Sequence, residues 1–119
     1  MEKINLKEKF SLFNDHWNPR IVGELNNQQV KLAKLKGEFI WHKHDNEDEL
    51  FLVIDGVLTI EFRDKIVELK ENEFIIVPKG VEHRPIAEKE VSVLFFEPKT
   101  TVNTGDLENE LTKKKLNKI

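Results

Sequence analysis

Residues 37–56 have the sequence GEFIWHKHDNEDELFLVIDG, which contains three candidate metal ligands close together. His42 and His44 are two positions apart, and residues two apart on a β-strand point to the same face. Glu49 follows a short polar stretch that predicts a turn, and it opens an apolar run that predicts a second strand. Folding the second strand back on the first would bring the Glu49 carboxylate beside the two imidazoles.

A fourth candidate ligand, His83, lies downstream at the end of VPKGVEH, residues 77–83. Imidazole and carboxylate groups together suit a divalent transition metal ion. A single histidine on a strand is more often structural, and a sugar-binding or structural barrel without metal is the alternative here. The combination nevertheless favours a metal site, so we predict that His42, His44, Glu49 and His83 bind one ion.

These residues resemble the two sequence motifs of the cupin superfamily. The first motif is a Gly, then H-x-H, a Glu and a Gly, and it is carried here by Gly37, His42, His44, Glu49 and Gly56. The second contains P-x-G followed by a His, matched by Pro78, Gly80 and His83. The resemblance extends from Lys31 to Glu97, and it is greatest to the small single-domain cupins often described as similar to mannose-6-phosphate isomerase.

Three positions depart from the family pattern. Asn72 stands where the second motif has its leading Gly, and Ala87 stands where the family often has Asn. The spacer from Gly37 to His42 is one residue shorter than the commonest form. The four metal ligands are unaffected by these differences.

The fold implied by the resemblance is an all-β jelly roll, or double-stranded β-helix barrel. Many short strands with turns at regular spacing independently favour an all-β sandwich or barrel. The predicted strands are Arg20–Leu25, Gln29–Lys36, Glu38–His42, Glu49–Ile54, Val57–Phe62, Ile66–Leu69, Phe74–Val77 and Val91–Phe96. We predict a single domain over 1–119, with a core at about 21–98, an N-terminal arm over 1–20 and a C-terminal tail or short helix over 99–119.

Composition excludes several classes of chemistry. The chain has 119 residues and no cysteine, which rules out disulfides, thiolate ligands and a cysteine nucleophile. The net charge of −3 predicts no nucleic-acid partner. The charged start of the chain lacks the apolar core of a signal peptide, and no stretch is long enough to span a membrane. We therefore predict a cytoplasmic protein without a membrane partner.

Two predicted strands, Leu50–Ile54 and Val91–Phe96, are apolar on both faces. An outward apolar face needs a cover, which can be the N-terminal segment, another subunit or both. We predict a homodimer in which the segment around Phe10 and Phe13 crosses to the partner. In the competing arrangement the segment folds back on its own chain and leaves a monomer.

The predicted function is that of a metal-dependent enzyme that acts on a small polar metabolite. An ion held by three His and one Glu can retain free positions and polarise a substrate oxygen. The ligand set does not distinguish Zn, Mn, Fe, Ni, Co or Cu. The resemblance implies isomerase, dioxygenase or lyase chemistry, without a catalytic residue that the sequence identifies. The alternatives are a non-catalytic binding protein for a small ligand and a metal-stabilised structural protein.

Two further residues are candidates for substrate binding. Phe51 lies two positions after Glu49 and should point inwards, where it would line the pocket or fill the core. Arg84 follows His83 and would suit an anionic substrate, although a solvent-exposed arginine is the alternative.

Overall fold

The computed structural model describes residues Met1–Ile119 and consists of one short helix followed by seven strands. Their bounds are α1 Leu6–Phe10, β1 Arg20–Leu25, β2 Gln28–Glu38, β3 Glu49–Asp55, β4 Leu58–Phe62, β5 Ile66–Leu69, β6 Phe74–Val77 and β7 His83–Pro98. With five residues, α1 is too short to cross a membrane, and the chain has no other helix that would do so.

One long strand, β7, organises the sheet. The strand order is β1-β2-β7-β3-β6, with β4 pairing β7 and β5, and every pairing is antiparallel. The first part of β7, residues 83–86, pairs with β4, while its second half pairs with β3. β7 therefore connects the two parts of the fold. The predicted all-β jelly-roll fold is confirmed, although the sheet is not closed.

Two of the predicted strands differ from the structure: one is absent, and the other is part of a longer strand. The predicted strand Glu38–His42 is absent: β2 ends at Glu38, and beyond it only an isolated bridge joins His42 to His83. Gly37 has φ +84° and the β2–β7 register shifts before it, so the extended run is interrupted there. The predicted strand Val91–Phe96 is the second half of the sixteen-residue β7.

The C-terminal tail, residues 99–119, forms turns and no helix. Asn109 accepts a hydrogen bond from the backbone N–H of Leu111, and the Thr104 hydroxyl donates to the Leu107 carbonyl. Local bonds of this kind compete with the helical hydrogen-bond pattern, so the leucine spacing alone does not produce a helix. Of the two predicted alternatives, the tail is the one observed.

The two faces of the main sheet differ in their cover. Inward residues such as Phe51, Val53 and Val93 are almost completely buried in the main core. On the outward face, cross-strand pairing aligns two apolar rows, each running from β6 through β3 and β7 to β2. The rows are Ile76, Leu50, Phe96 and Val30, and then Phe74, Leu52, Leu94 and Leu32.

The N-terminal arm covers only one end of these rows. Phe10 and Phe13 are buried against Val22 and Leu32 of the same chain, with Leu94 beside them. The arm therefore folds back on the sheet of its own chain, which is the alternative to the predicted crossing to a partner subunit. At the other end, Phe74 and Ile76 remain 60% and 54% exposed.

Candidate metal centre

The four predicted ligands are brought together by backbone pairing between the two motifs. His42 and His83 exchange both backbone hydrogen bonds, at 3.1 and 2.9 Å. The His44 carbonyl accepts a bond of 2.8 Å from the N–H of Gly80, in the turn before His83. Glu49 is the first residue of β3, and its burial alternates with that of the outward Leu50. The pairing holds both motif segments at the same end of the fold.

The ligand atoms of His42, His44, Glu49 and His83 all lie within 4.8 Å of one another. The Nε2 atoms of His44 and His83 are each 3.4 Å from Oε1 of Glu49. No member of the group is more than 5% exposed. Two ligands bound to one ion at roughly 2.0–2.2 Å are at most about 4.4 Å apart, so a contraction of a few tenths of an ångström completes the set.

Two of the imidazoles are oriented by backbone carbonyls. Nδ1 of His42 lies 2.9 Å from the Ile40 carbonyl oxygen, and Nδ1 of His83 lies 2.9 Å from that of Val81. A carbonyl can only accept, so each Nδ1 donates, and in the neutral form of each ring Nε2 keeps the lone pair that a metal requires. His44 has no such partner, and neither of its ring nitrogens makes a hydrogen bond.

The unpartnered atoms at this site fit a metal ion. Nε2 of His44, Nε2 of His83 and Oε1 of Glu49 are buried and have no hydrogen-bond partner in the protein. Buried polar groups without partners are costly and uncommon in folded proteins. One divalent cation would satisfy all three atoms together, and imidazole and carboxylate are suitable donors for it.

Burial and mutual attraction shift the pKa values of the ligands. Burial and the neighbouring His83 lower the pKa of His42 to about 4, so this ring is neutral at neutral pH. Burial would raise the pKa of Glu49, but the His44 and His83 imidazoles outweigh it and hold that pKa well below its usual range. Burial acts to lower the pKa of His44, but the Glu49 carboxylate stabilises the protonated ring. The net result is a raised pKa at His44.

A small cavity of about 40 Å³ adjoins the centre on the side of His42 and Glu49. Phe51 lines it and also packs in the core, with its ring centroid 5.1 Å from that of Phe95. Its predicted role in substrate binding stays a prediction. The remaining lining residues are Trp17, Pro19, Leu35, Phe39, Pro85, Phe95, Glu97 and Asn103. The N-terminal arm and the tail thus both contribute to the wall.

Arg84 lies elsewhere. Its guanidinium donates two hydrogen bonds, of 2.8 and 2.6 Å, to Glu61 and approaches the ring of Trp41. It is not among the residues that line the cavity, so the structure does not bring it to the site. His16 is not part of the ligand group, and its Nε2 lies 2.7 Å from Oε2 of Glu90.

Glu97 is a second buried carboxylate beside the centre, and it is not among the residues predicted from the sequence. It is 4% exposed, lines the cavity and lies 2.9 Å from the Lys31 ammonium group. Burial and the nearby Glu49 raise its pKa well above the usual range. Its inward position could have been predicted, because Glu97 continues the alternation by which Val93 and Phe95 point inwards on β7.

The tail supports the loop that carries two of the ligands. The backbone N–H of Asp106 donates to the Lys43 carbonyl at 3.0 Å, and Thr104 beside it is fully buried. A Cβ on Gly105 would overlap the Lys43 carbonyl group and lie 3.3 Å from Cδ2 of His42. No sequence pattern pointed to this contact, because it joins segments about 60 residues apart.

Comparison with known proteins gives a family and a set of close relatives. The family model Cupin_2, described as Cupin domain, matches residues 29–98. The uncharacterized protein YdbB of Bacillus subtilis (strain 168) is 41% identical over 80 residues, which are 66% of this chain. The same match covers only 65% of the length of YdbB.

Two solved structures share both fold and sequence with the chain. A cupin-2 domain containing protein from Shewanella frigidimarina superposes with a TM-score of 0.79 at 49% identity, over 80% of this chain and 93% of that one. Protein NMB1881 from Neisseria meningitidis gives a TM-score of 0.76 at 33% identity, over 82% of this chain and 99% of that one.

Proposed function

The chain belongs to the cupin domain family, and we propose that it is a metal-dependent enzyme acting on a small polar metabolite. The observation that carries the proposal is the buried set of His42, His44, Glu49 and His83 beside a cavity. A site that served only to stabilise the fold would have no need of an adjoining cavity. Isomerase, dioxygenase and lyase reactions remain the proposed types, and the comparisons favour none of them.

Each residue of the centre has a physical role in this proposal. The carbonyls of Ile40 and Val81 fix the rings of His42 and His83, while Glu49 supplies the negative charge that a cation requires. When bound, the ion supplies Lewis acidity towards a carbonyl or hydroxyl oxygen and, with a redox-active metal, oxygen chemistry. Phe51 and the other apolar walls exclude water and so strengthen electrostatic interactions with the ligand.

The metal is proposed to be a single divalent transition ion. The donor set of three imidazoles and one carboxylate suits Zn, Mn, Fe, Ni, Co or Cu. The enzyme proposal is tested by a turnover screen of the protein with its native metal against small hydroxy acids, keto acids, sugars and diols. A variant in which all four ligands are Ala is the control. Metal-dependent turnover absent from the control supports the enzyme, whereas metal binding without turnover of any compound favours the second candidate.

The second candidate is a non-catalytic cupin that binds a small ligand or uses its metal for stability. The small volume of the cavity, about 40 Å³, is the observation that favours it. A single water requires roughly 10–15 Å³ on this measure, so the cavity holds a few water-sized groups. A structural metal would couple ion binding to folding, which chelation followed by denaturation measures directly.

A second copy of this chain is the proposed partner. Outward residues Leu50, Leu52 and Phe96 are only half-buried, and Phe74 and Ile76 are exposed beside them. A continuous apolar surface of this kind is unusual on a monomer, and a two-fold interface would bury it on both subunits. The arm is proposed to frame this interface from its own chain. A cytoplasmic location stays a prediction, as does ligand binding by Arg84.

A further inference from the structure

We propose that Trp17 is a specificity-determining residue, which limits the ligand to a short apolar group beside its metal-binding atoms. This inference rests on the proposed function, because it assigns the ligand class of the same metal centre. Trp17 lines the cavity together with the metal ligands His42 and Glu49. One small molecule in the cavity can therefore contact both the ion and the indole ring.

The backbone of Trp17 has a conformation that a bulky residue rarely adopts. Its φ is +58°, in the left-handed region that favours glycine. Residues in this conformation persist only where the surrounding structure holds them, and they are concentrated at functional sites. The presence of tryptophan rather than glycine at this position therefore needs a reason in the contacts of its side chain.

Three contacts hold Trp17 in place. Its backbone N–H donates to the Lys34 carbonyl at 3.0 Å, and its indole N–H donates to the Lys36 carbonyl at 2.9 Å. The ring stacks on Phe39, with 4.8 Å between centroids, and Phe39 in turn lies edge-on to the His42 ring at 5.3 Å. The indole is thus one aromatic ring away from a metal ligand, and it cannot move aside without breaking these contacts.

Trp17 also stands between the cavity and the surface of the protein. It is only partly buried, whereas the other aromatic walls are 7% exposed or less, namely Phe39, Phe51 and Phe95. Trp17 belongs to an irregular segment of the N-terminal arm, outside the sheet. Removal of the indole would therefore open the cavity outwards and let a longer ligand extend towards solvent.

The rest of the cavity indicates the kind of ligand. Its volume of about 40 Å³ has room for roughly three or four water-sized groups. Apart from the metal ligands, its polar lining residues already have partners. Glu97 pairs with Lys31, and the Asn103 amide donates to the Leu111 carbonyl and accepts from the Lys113 N–H. The structure thus favours a compact molecule with a metal-binding group and a short apolar remainder, smaller than an aromatic ring.

The test uses cobalt-loaded protein and a matched pair of probes, acetohydroxamate and benzohydroxamate. Both bind a metal ion through the same two oxygens, but one carries a methyl group and the other a phenyl ring. Visible absorption of the cobalt centre gives the Kd for each probe, and the ratio of the two values measures the preference for the smaller group. Trp17→Gly removes the indole and relieves the backbone strain, while Trp17→Phe keeps a ring that can stack on Phe39 if the first variant does not fold.

We expect the wild type to prefer acetohydroxamate, and this preference to fall by about tenfold to a hundredfold in Trp17→Gly, the usual effect of a group too large for a packed site. Trp17→Phe should shift the ratio in the same direction by a smaller factor. Trp41→Phe is the matched control, because Trp41 lies outside the cavity, with Cζ of Arg63 3.9 Å from its ring centroid, and it should keep the wild-type ratio. A change in stability alone would weaken the binding of both probes and leave the ratio unchanged.

An unchanged ratio in the Trp17 variants would overturn the inference, and so would a wild type that binds benzohydroxamate as tightly as acetohydroxamate or binds neither probe. Cobalt content is measured first in every sample. Failure of the wild type to bind cobalt would contradict the proposed metal function and the inference with it. Cobalt binding without a Trp17-dependent ratio would contradict only the role of Trp17.

Discussion

Nε2 of His44 lies 3.4 Å from Oε1 of Glu49, and neither atom makes a hydrogen bond within the protein. His44 is also the one imidazole of the centre that no backbone carbonyl orients. Its position is therefore set by the loop that carries it and by whatever it binds. In the proposed metal centre, both atoms are donors to the same cation.

Replacing His44 by Ala should weaken metal binding while leaving the fold intact. Loss of an outer partner of a ligand typically costs about 10–100-fold in affinity, and loss of the ligand itself should cost more. The apolar core of 13 buried residues does not include His44, so folding should not depend on it. Competition with a chelator measures the affinity, and circular dichroism reports the fold. His16→Ala, which alters a partly exposed histidine, should change neither quantity.

The metal-free protein should lose stability as the pH falls from about 6.5 to about 4. The pKa of His42 is lowered from 6.5 to about 4 by burial and by His83, so over this range the unfolded chain binds a proton that the folded chain does not. The lowered pKa of Glu49 acts in the same direction. The raised pKa of His44 acts in the opposite direction, because the stability that it contributes is present below pH 6.5 and is lost at higher pH.

His42→Gln isolates this effect. Between pH 7 and pH 4.5, the free energy of unfolding measured with urea should fall by about 2–3 kcal/mol less in the variant than in the wild type, as expected from the gap between the two His42 pKa values. His16→Gln is the control and should follow the wild type. Equal losses in wild type and His42→Gln would show that protonation of His42 does not oppose folding.

Gly105→Ala should disturb the metal centre from the C-terminal tail. Gly105 has φ +62°, and an added Cβ would lie 2.8 Å from the Lys43 carbonyl carbon. Lys43 stands between His42 and His44, so relief of the overlap displaces both ligands. We expect a decrease of about tenfold or more in metal affinity, comparable with the loss of an outer ligand partner.

Gly37→Ala provides the matched control for Gly105→Ala. Gly37 has φ +84° but no atom within 4 Å of an added Cβ, so it carries the conformational cost without the overlap. Both variants should lose about 1–2 kcal/mol of stability from the left-handed conformation. The same metal affinity in the two variants would exclude a specific effect of the tail on the ligand loop.

Ile76→Asp should convert the proposed dimer to a monomer. Ile76 is 54% exposed and stands in the apolar row with Leu50 and Phe96, where a charge would be buried on association. Sedimentation equilibrium at micromolar concentration should give twice 14.0 kDa for the wild type and 14.0 kDa for the variant. Ile66→Asp, at a 66% exposed site on β5, should remain dimeric. A wild type of monomer mass would be inconsistent with the proposed interface.

Local features of the fold could be predicted from the sequence, because their physical causes lie within a few residues. Alternating burial of β3 and the turn at Gly56, where φ is +97°, follow from side-chain period and backbone freedom. The four ligand candidates were identifiable because their residue types and order are restrictive. The four ligands do not converge through the expected pair of strands. Instead, His42 lies outside any regular strand and is held by a single bridge to His83.

Features that depend on distant contacts were not predictable. The Lys31–Glu97 pair joins residues 66 positions apart, and only the β2–β7 register makes them neighbours. Trp17 enters the cavity wall from an irregular segment, with φ +58° and its ring stacked on Phe39. The absence of a helix in the tail was likewise decided by side-chain bonds to the backbone, which outweigh a loose apolar spacing.

The proposed metal centre requires His42, His44, Glu49 and His83 to bind one divalent ion together. Elemental analysis of wild-type protein, purified without chelators, against the variant with all four residues replaced by Ala is its most direct test. We expect close to one equivalent of a transition metal per wild-type chain and almost none in the variant, with circular dichroism showing that both are folded. Equal metal content in two folded proteins would contradict it.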